Sequence, residues 1–430
     1  MNETETHRGP HQLRWLLFCA LLLETAYAVL NISTMPVYLQ SNRGLGAATV
    51  GLVLVSYLLS EAILKAPLGA LSDRVGHRLF IMLGGFISAC SALLTLLLPK
   101  GGGMAEVGGL MLLRAVDGCG AAMIWPAMFA LVADLSAPGK HQQSNSKLNS
   151  IYLLGIAIAL PLGGFANDQF GGMLANSAGS RSPGIFLAIL FFVLSVVAAA
   201  VFLPRKSAHH EEPEASLQMK GIIAAMRTIP EYLVLALITF AAIGFPLAIV
   251  KIFAEDQFGM SESSFGLVAL PCALSLAVLS LPMAKIGEKM GEARAVHFGL
   301  ASCLLGMLAI SSGMVVPGLR HPMLFGIGAI PIGIGFLLTL PAWYSYVGNL
   351  APTNRGTLLG AVMMAQGIGA MLTTPIGGYL YESLRPLGNT LGYGDGFARY
   401  SPFGASAACL ALGWVFSLKV LRPVAPYSNR

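Results

Sequence analysis

Long apolar runs separated by short polar ones make up most of this 430-residue chain. Twelve such runs can be read, approximately at 15–39, 47–68, 79–99, 107–134, 147–167, 184–204, 232–254, 264–284, 295–316, 322–349, 357–381 and 402–421, each about as long as a helix needs to cross ~30 Å of hydrocarbon. An open sheet leaves backbone groups unsatisfied in lipid, so the runs are expected to be helices. The fold class expected is therefore all-α integral membrane. Composition agrees: 55% of residues are hydrophobic and only 11% charged, against roughly a quarter charged in a typical soluble protein. The polar start, Met1 to Gln12, followed by a run longer than a signal-peptide core, reads as a retained first span.

Assigning alternate loops to opposite sides, with the N-terminus inside, puts most of the 26 Lys and Arg on the inner face. That bias fits the positive-inside rule and places both termini in the cytoplasm. It also accounts for the net charge of +6 without nucleic acid. Cys19, Cys90, Cys119, Cys272, Cys303 and Cys409 all fall in expected spans without ligand-like spacing, so neither a disulfide framework nor a metal site is expected. No nucleophile-and-base arrangement and no phosphate loop point to an enzyme, and no cofactor is expected.

Sliding the chain against itself by half its length exposes a repeat. Gly118, Gly120 and Pro126-Ala127 correspond to Gly333, Gly335 and Pro341-Ala342. Pro161-Leu-Gly-Gly164 corresponds to Pro375-Ile-Gly-Gly378, and Asp73-Arg74-Val75-Gly76 has a worn counterpart in Glu288-Lys289-Met290-Gly291. The expected organisation is an N-terminal six-helix bundle (1–204), a polar cytoplasmic linker (205–231) and a C-terminal six-helix bundle (232–430). The linker carries His209-His210-Glu211-Glu212, read as solvated rather than metal-binding.

On these residues the chain resembles the major facilitator superfamily, and within it bacterial drug/proton antiporter-like members. The family signature between spans 2 and 3, G-x-L-(A/S)-D-R-x-G-R-(K/R), is matched by Gly69, Leu71, Ser72, Asp73, Arg74, Gly76 and Arg78, with His77 in place of the usual Arg. Arg114, Gly118, Gly120 and Ala122 match a second motif, in span 4. Leu160-Pro161-Leu162-Gly163-Gly164 departs from the antiporter motif G-P-x-x-G-G by a missing Gly and a shorter spacer. The resemblance implies two bundles related by a pseudo-twofold repeat around a cavity lined by spans 1, 4, 7 and 10. It further implies rocker-switch alternating access, a cytoplasmic gate in which Arg74 pairs with Asp134, and a degenerate second gate at Glu288, Lys289 and Gly291.

A charge at the bilayer centre costs at least ~2.5–3.5 kcal/mol, so each one asks for a partner or a role. Glu24 lies about nine residues into span 1, roughly 14 Å from the inner surface. Arg114 and Asp117 enter span 4 from the other side, and an inward-reaching Arg114 is expected to approach Glu24. These three form an expected proton-coupling cluster, with Tyr27 and Asn31 on the Glu24 face of span 1; a mutually neutralising Arg114–Asp117 pair is the alternative. Glu61 and Lys65 read as a structural i,i+4 pair. Trp343, Tyr344 and Tyr346 read as an interfacial belt or a ligand wall.

The function expected is proton-coupled export of a small amphipathic or cationic organic compound by a monomer in the inner (plasma) membrane. The expected partners are that small-molecule substrate, protons and the lipid bilayer, and no nucleic acid. Proton-coupled uptake of a small metabolite, sugar or organic acid remains open, with Arg114 and Lys251 as anion contacts. So does a transporter-like sensor or scaffold.

Overall fold

In a computed structural model of the chain, the described residues are 8–101, 103–136, 141–176, 179–204, 227, 229–350 and 355–421. Nearly all of them are helical, and no strand occurs among them. Eleven helices among the described residues are long and apolar enough to cross a membrane, from His11–Asn42 at the start to Asp395–Val420 at the end. The remaining expected span, 264–284, lies inside the 29-residue helix Glu262–Met290, where several side chains fall outside the described residues. Spans are numbered here in chain order, that helix being span 8. Most of the linker, 205–226 and 228, also lies outside the described residues.

The described residues divide into two compact units. The first takes in 1–215 together with 254–277, and the second takes in 216–253 and 278–430. Ala254–Ala277, which contains the start of span 8 and follows span 7 in sequence, packs with the first unit.

The repeat is visible in the packing of each unit. A Cβ on Gly120 (span 4) would meet the carbonyl of Gly84 at 2.8 Å and Ser88 Oγ at 2.5 Å (span 3). A Cβ on Gly335 (span 10) would run into the carbonyl of Gly299 and meet Cys303 Sγ at 2.5 Å (span 9). Each residue of the second set lies 215 positions after its counterpart. Small residues let two backbones touch where lipid provides no hydrophobic drive for association, and both halves use the same positions for it.

The turns repeat as well. Helix Ala47–Val75 passes into His77–Leu97 through the single residue Gly76, at φ +118°, and Glu262–Met290 passes into Glu292–Ser311 through Gly291, at φ +83°. Only glycine adopts such φ without strain. The amide of Gly76 donates to the Ser72 carbonyl at 2.8 Å and that of Gly291 to the Gly287 carbonyl at 3.1 Å, so each glycine caps one span and opens the next.

Span 1 is not a uniform α-helix. Arg8–Ala28 is α-helical, but Val29–Thr34 and Tyr38–Asn42 widen into π-turns. Widened turns of this kind are frequent at functional sites, and here they alter which residues face span 4.

Candidate functional site

The charged residues of the first unit sort into separate groups. Deep between spans 1, 3 and 4, Arg114 Nη1 donates to Asn31 Oδ1 and to Asp117 Oδ2, both at 3.1 Å, and Asn31 Nδ2 donates to the same Asp117 oxygen at 3.4 Å. Arg114 Nη2 reaches Thr95 Oγ1 at 3.4 Å. Arg114 is 1% exposed and Asp117 is fully buried. The triangle is electrically neutral, as a buried pair must be to avoid a large desolvation penalty. Its hydrogen bonding is incomplete, since Arg114 Nε and Asp117 Oδ1 have no partner among the described residues.

Arg114 does not meet Glu24 as the sequence led us to expect, because its guanidinium is turned to Asn31, Asp117 and Thr95. Glu24, 5% exposed, makes no hydrogen bond or ion pair among the described residues. The charges that bear on it are those of Glu61 and Lys65 in span 2. Glu61 and Lys65 form an ion pair of 2.7 Å, with Lys65 half-exposed. The pair read from sequence as structural thus stands beside the acid.

Tyrosines join these groups. Tyr27, one turn after Glu24, shares a hydrogen bond of 2.7 Å with Ser88 and has its ring 6.3 Å from that of Tyr57. Tyr57 is itself one turn before Glu61. Tyr27 is 4% exposed, with Phe192 edge-on to its ring at 4.8 Å. It therefore acts as a packed strut rather than an open wall. Tyr152 of span 5, edge-to-face with Trp125, feels the charges of both Glu24 and Glu61.

Gly155, which the sequence pattern does not single out, holds this arrangement open. A Cβ there would meet the Cβ and Cγ of Glu24 at 2.8 and 2.9 Å. Its signal is weak, because fifty glycines are scattered along the chain and nothing local marks this one.

At the inner ends of spans 3 and 4, the contact expected of Arg74 is made by another residue. Arg74 is exposed, and His77 Nε2 stands 3.8 Å from Asp134 Oδ2. Ser72 Oγ lies 3.4 Å from His77 Nδ1 and donates to the Gly69 carbonyl at 2.7 Å. Arg78 donates to the Ala200 carbonyl at the end of span 6, a cation on a helix C-terminus. The side chain of Asp73 lies outside the described residues. In the counterpart turn Glu288 and Lys289 are exposed, and the polar contacts are made by Glu292, which accepts from Ser345 Oγ and, at 2.8 Å, from Asn349 Nδ2.

Two further charged clusters were not foreseen. Arg43, between the expected spans 1 and 2, is buried. It donates to Glu106 at 2.9 Å, to the carbonyls of Thr95, Leu98 and Pro99, and to Tyr38 Oη. Arg181 binds Glu262 at 3.0 Å, Glu255 at 2.8 Å and Asp168 at 3.5 Å, and Asn167 Nδ2 donates to both oxygens of Glu262. This second cluster, with Gly164 against the Glu262 backbone and Gly266 against Pro161, fastens segment 254–277 to the first unit. The motif Pro161–Gly164 thus has a packing role that its repeat only half shares: Gly163 lies against Ser33 of span 1 and Gly377 against Phe245 of span 7.

In the second unit, Thr239 of span 7 lies 215 positions after Glu24. It borders a small, largely apolar cleft with Leu235, Leu300, Thr339, Trp343 and Gln366. Trp343 Nε1 and Thr339 Oγ1 are buried there without a partner among the described residues. Trp343 and Tyr346 are 3% and 5% exposed and pack on Tyr232, so they form an internal cluster and not an interfacial belt. Tyr344 donates to Gln366 at 2.9 Å. Lys251 is buried in the short helix Val250–Phe258, beyond the end of span 7. Among the described residues no group of three or more His, Cys, Asp or Glu could hold a metal ion.

The comparisons agree with this architecture. The family model described as Major Facilitator Superfamily matches residues 16–374 and 232–429. Multidrug resistance protein 2 of Bacillus subtilis is 23% identical over 382 residues, covering 85% of this chain and 89% of that protein. The quinolone resistance protein NorA of Staphylococcus aureus is 23% identical over 357 residues, covering 82% and 86%. Among solved structures, the nucleoside transporter NupG superimposes with a TM-score of 0.76 at 11% identity, covering 95% and 99% of the two chains. A bacterial homolog of the human lysosomal transporter Spinster, inward-facing and occupied, gives 0.73 at 14%, covering 96% of each. A helical chain of many membrane spans, built from a repeated pattern of glycine contacts and one-residue glycine turns, is a membrane transporter that belongs to the Major Facilitator Superfamily.

Proposed function

We propose that this transporter exports a small amphipathic organic cation in exchange for protons, by alternating access, as a monomer of the inner membrane with both termini cytoplasmic. The observation that carries this reading is Glu24: a carboxylate buried in span 1 with no hydrogen bond among the described residues, its charge felt by Tyr57 and Tyr152 and the charge of Glu61 bearing on it. An unbonded buried carboxylate is costly when charged and empty. It is stable when it carries a proton or faces a cation, and a site that alternates between these states couples their movements. Aromatic faces favour organic cations over bare ions.

The names of the multidrug and quinolone resistance relatives support export. For uptake of an anionic metabolite Arg114 would have to be available, yet it is engaged by Asn31, Asp117 and Thr95. The motif of Arg78, Gly69 and Gly76 with the His77–Asp134 contact is read as the cytoplasmic gate.

Reconstitution into proteoliposomes with an imposed pH gradient tests the reading. An organic cation such as tetraphenylphosphonium is expected to move against the proton gradient in the wild type, and Glu24→Gln is expected to abolish that movement. An unchanged pH profile in Glu24→Gln would remove Glu24 as the coupling acid. Binding without movement under either gradient would favour a sensor.

A further inference from the structure

Glu61 and Lys65 are not needed to build span 2, which is already apolar and helical through Ala47–Val75. Their position is what sets them apart. Tyr27 and Tyr57 touch ring to ring; Tyr27 follows Glu24 by three residues and Tyr57 precedes Glu61 by four. Each therefore shares a helix face with its carboxylate, and the ring contact brings the two acids to one seam. Span 4 packs tightly on the same stretch, since a Cβ on Gly118 would run into the Tyr57 carbonyl and meet the Glu61 amide at 3.1 Å.

The charges at this seam can be summed. Glu24 and Glu61 contribute two negative charges and Lys65, at 2.7 Å from Glu61, one positive, leaving one negative. The neighbouring Arg114–Asp117 pair adds nothing, and among the described residues Tyr27, Tyr57 and Tyr152 feel the charges of both acids. Lys65 is the more accessible member, its side chain 47% exposed against 17% for Glu61.

We propose that Lys65 sets the valence of the cargo: as a tethered ammonium on Glu61 it leaves the seam one negative charge, matched by one proton or one monovalent cation. The inference rests on the export reading above and adds to it a residue that selects by charge. Without Lys65 the seam carries two negative charges and suits a dication. A merely structural Glu61–Lys65 pair has no such consequence.

Equilibrium binding to purified protein at one pH tests this with tetraphenylphosphonium, which carries one charge, and decamethonium, which carries two. Lys65→Met is expected to shift relative affinity toward decamethonium by about tenfold or more, while Lys65→Arg keeps the wild-type ratio. Glu61→Gln leaves a neutral seam and is expected to weaken tetraphenylphosphonium by about tenfold. The double variant Glu61→Gln/Lys65→Met returns the seam to one negative charge and is expected to recover monocation binding. A Lys65→Met ratio within about twofold of wild type, or a double variant no better than Glu61→Gln, overturns the valence role and leaves the export reading standing. A wild type that binds neither cation overturns both.

Discussion

His77 stands 3.8 Å from Asp134, and 215 residues later Glu292 and Asn349 make the equivalent contact at 2.8 Å. The duplication has kept the place of the contact and changed its chemistry. In the first half an imidazole faces a carboxylate, beyond hydrogen-bond distance. In the second half the carboxylate has moved to the other helix and faces a neutral amide.

The two contacts can be exchanged by substitution. His77→Asp sets a second carboxylate against Asp134 and is expected to part the contact and change the transport rate in proteoliposomes, while His77→Asn, which copies the amide of Asn349, is expected to keep it. A His77→Asp rate identical to wild type removes His77 from the gate.

Gly76 and Gly291 are conformational requirements without a steric one. Nothing lies within 4 Å of a Cβ at either site, yet both have strongly positive φ. Alanine at either position should cost about 1–2 kcal/mol, read as a lowered unfolding temperature in detergent. Gly120→Ala and Gly335→Ala should cost more, because a methyl there meets the backbone of the neighbouring span and forces the helices apart.

Asp117→Asn and Glu24→Gln should separate stability from transport. Removing the charge of Asp117 strands the buried Arg114 guanidinium, at a cost of about 3–5 kcal/mol, so the variant is expected to be thermally labile. Glu24 has no hydrogen bond to lose among the described residues, and its neutral replacement relieves a buried charge. Glu24→Gln is expected to unfold no earlier than wild type while losing cation transport. Thermal unfolding and proteoliposome flux on the same preparations distinguish the two.

Gly155→Ala should impair transport without altering any charge. The added methyl meets the Cβ and Cγ of Glu24 and displaces its carboxylate. Aspartate keeps both the Cβ and the Cγ, so Gly155→Ala/Glu24→Asp is expected to recover no activity. Wild-type flux in Gly155→Ala argues against a positioning role.

Arg181→Gln leaves Glu262, 2% exposed, without its guanidinium partner while Asn167 still donates to it, and parts Glu255 and Asp168 from a shared cation. The start of span 8 should then loosen from the first unit, seen as faster amide exchange at Ser263–Gly266. Unchanged exchange would show that the glycine contacts suffice.

The sequence by itself determined the membrane helices, the duplication, the glycine turns and the family. These depend on contiguous residues: an apolar run of sufficient length must cross as a helix, and a glycine at positive φ ends one locally. Glu24, Arg114 and Asp117 were legible as costly charges for the same reason. Only the tertiary structure decided how they group, because pairing depends on the rotation of each helix about its own axis. In span 1 the π-turn at Val29–Thr34 breaks the α-helical register by which Asn31 would share the Glu24 face, since each extra residue in a turn rotates the rest of the helix by about 100°. Asn31 and Arg114 close on Asp117, and Glu24 is left to Glu61 and Lys65. No periodicity in either span records that choice, which the packing of Gly118 and Gly155 makes possible.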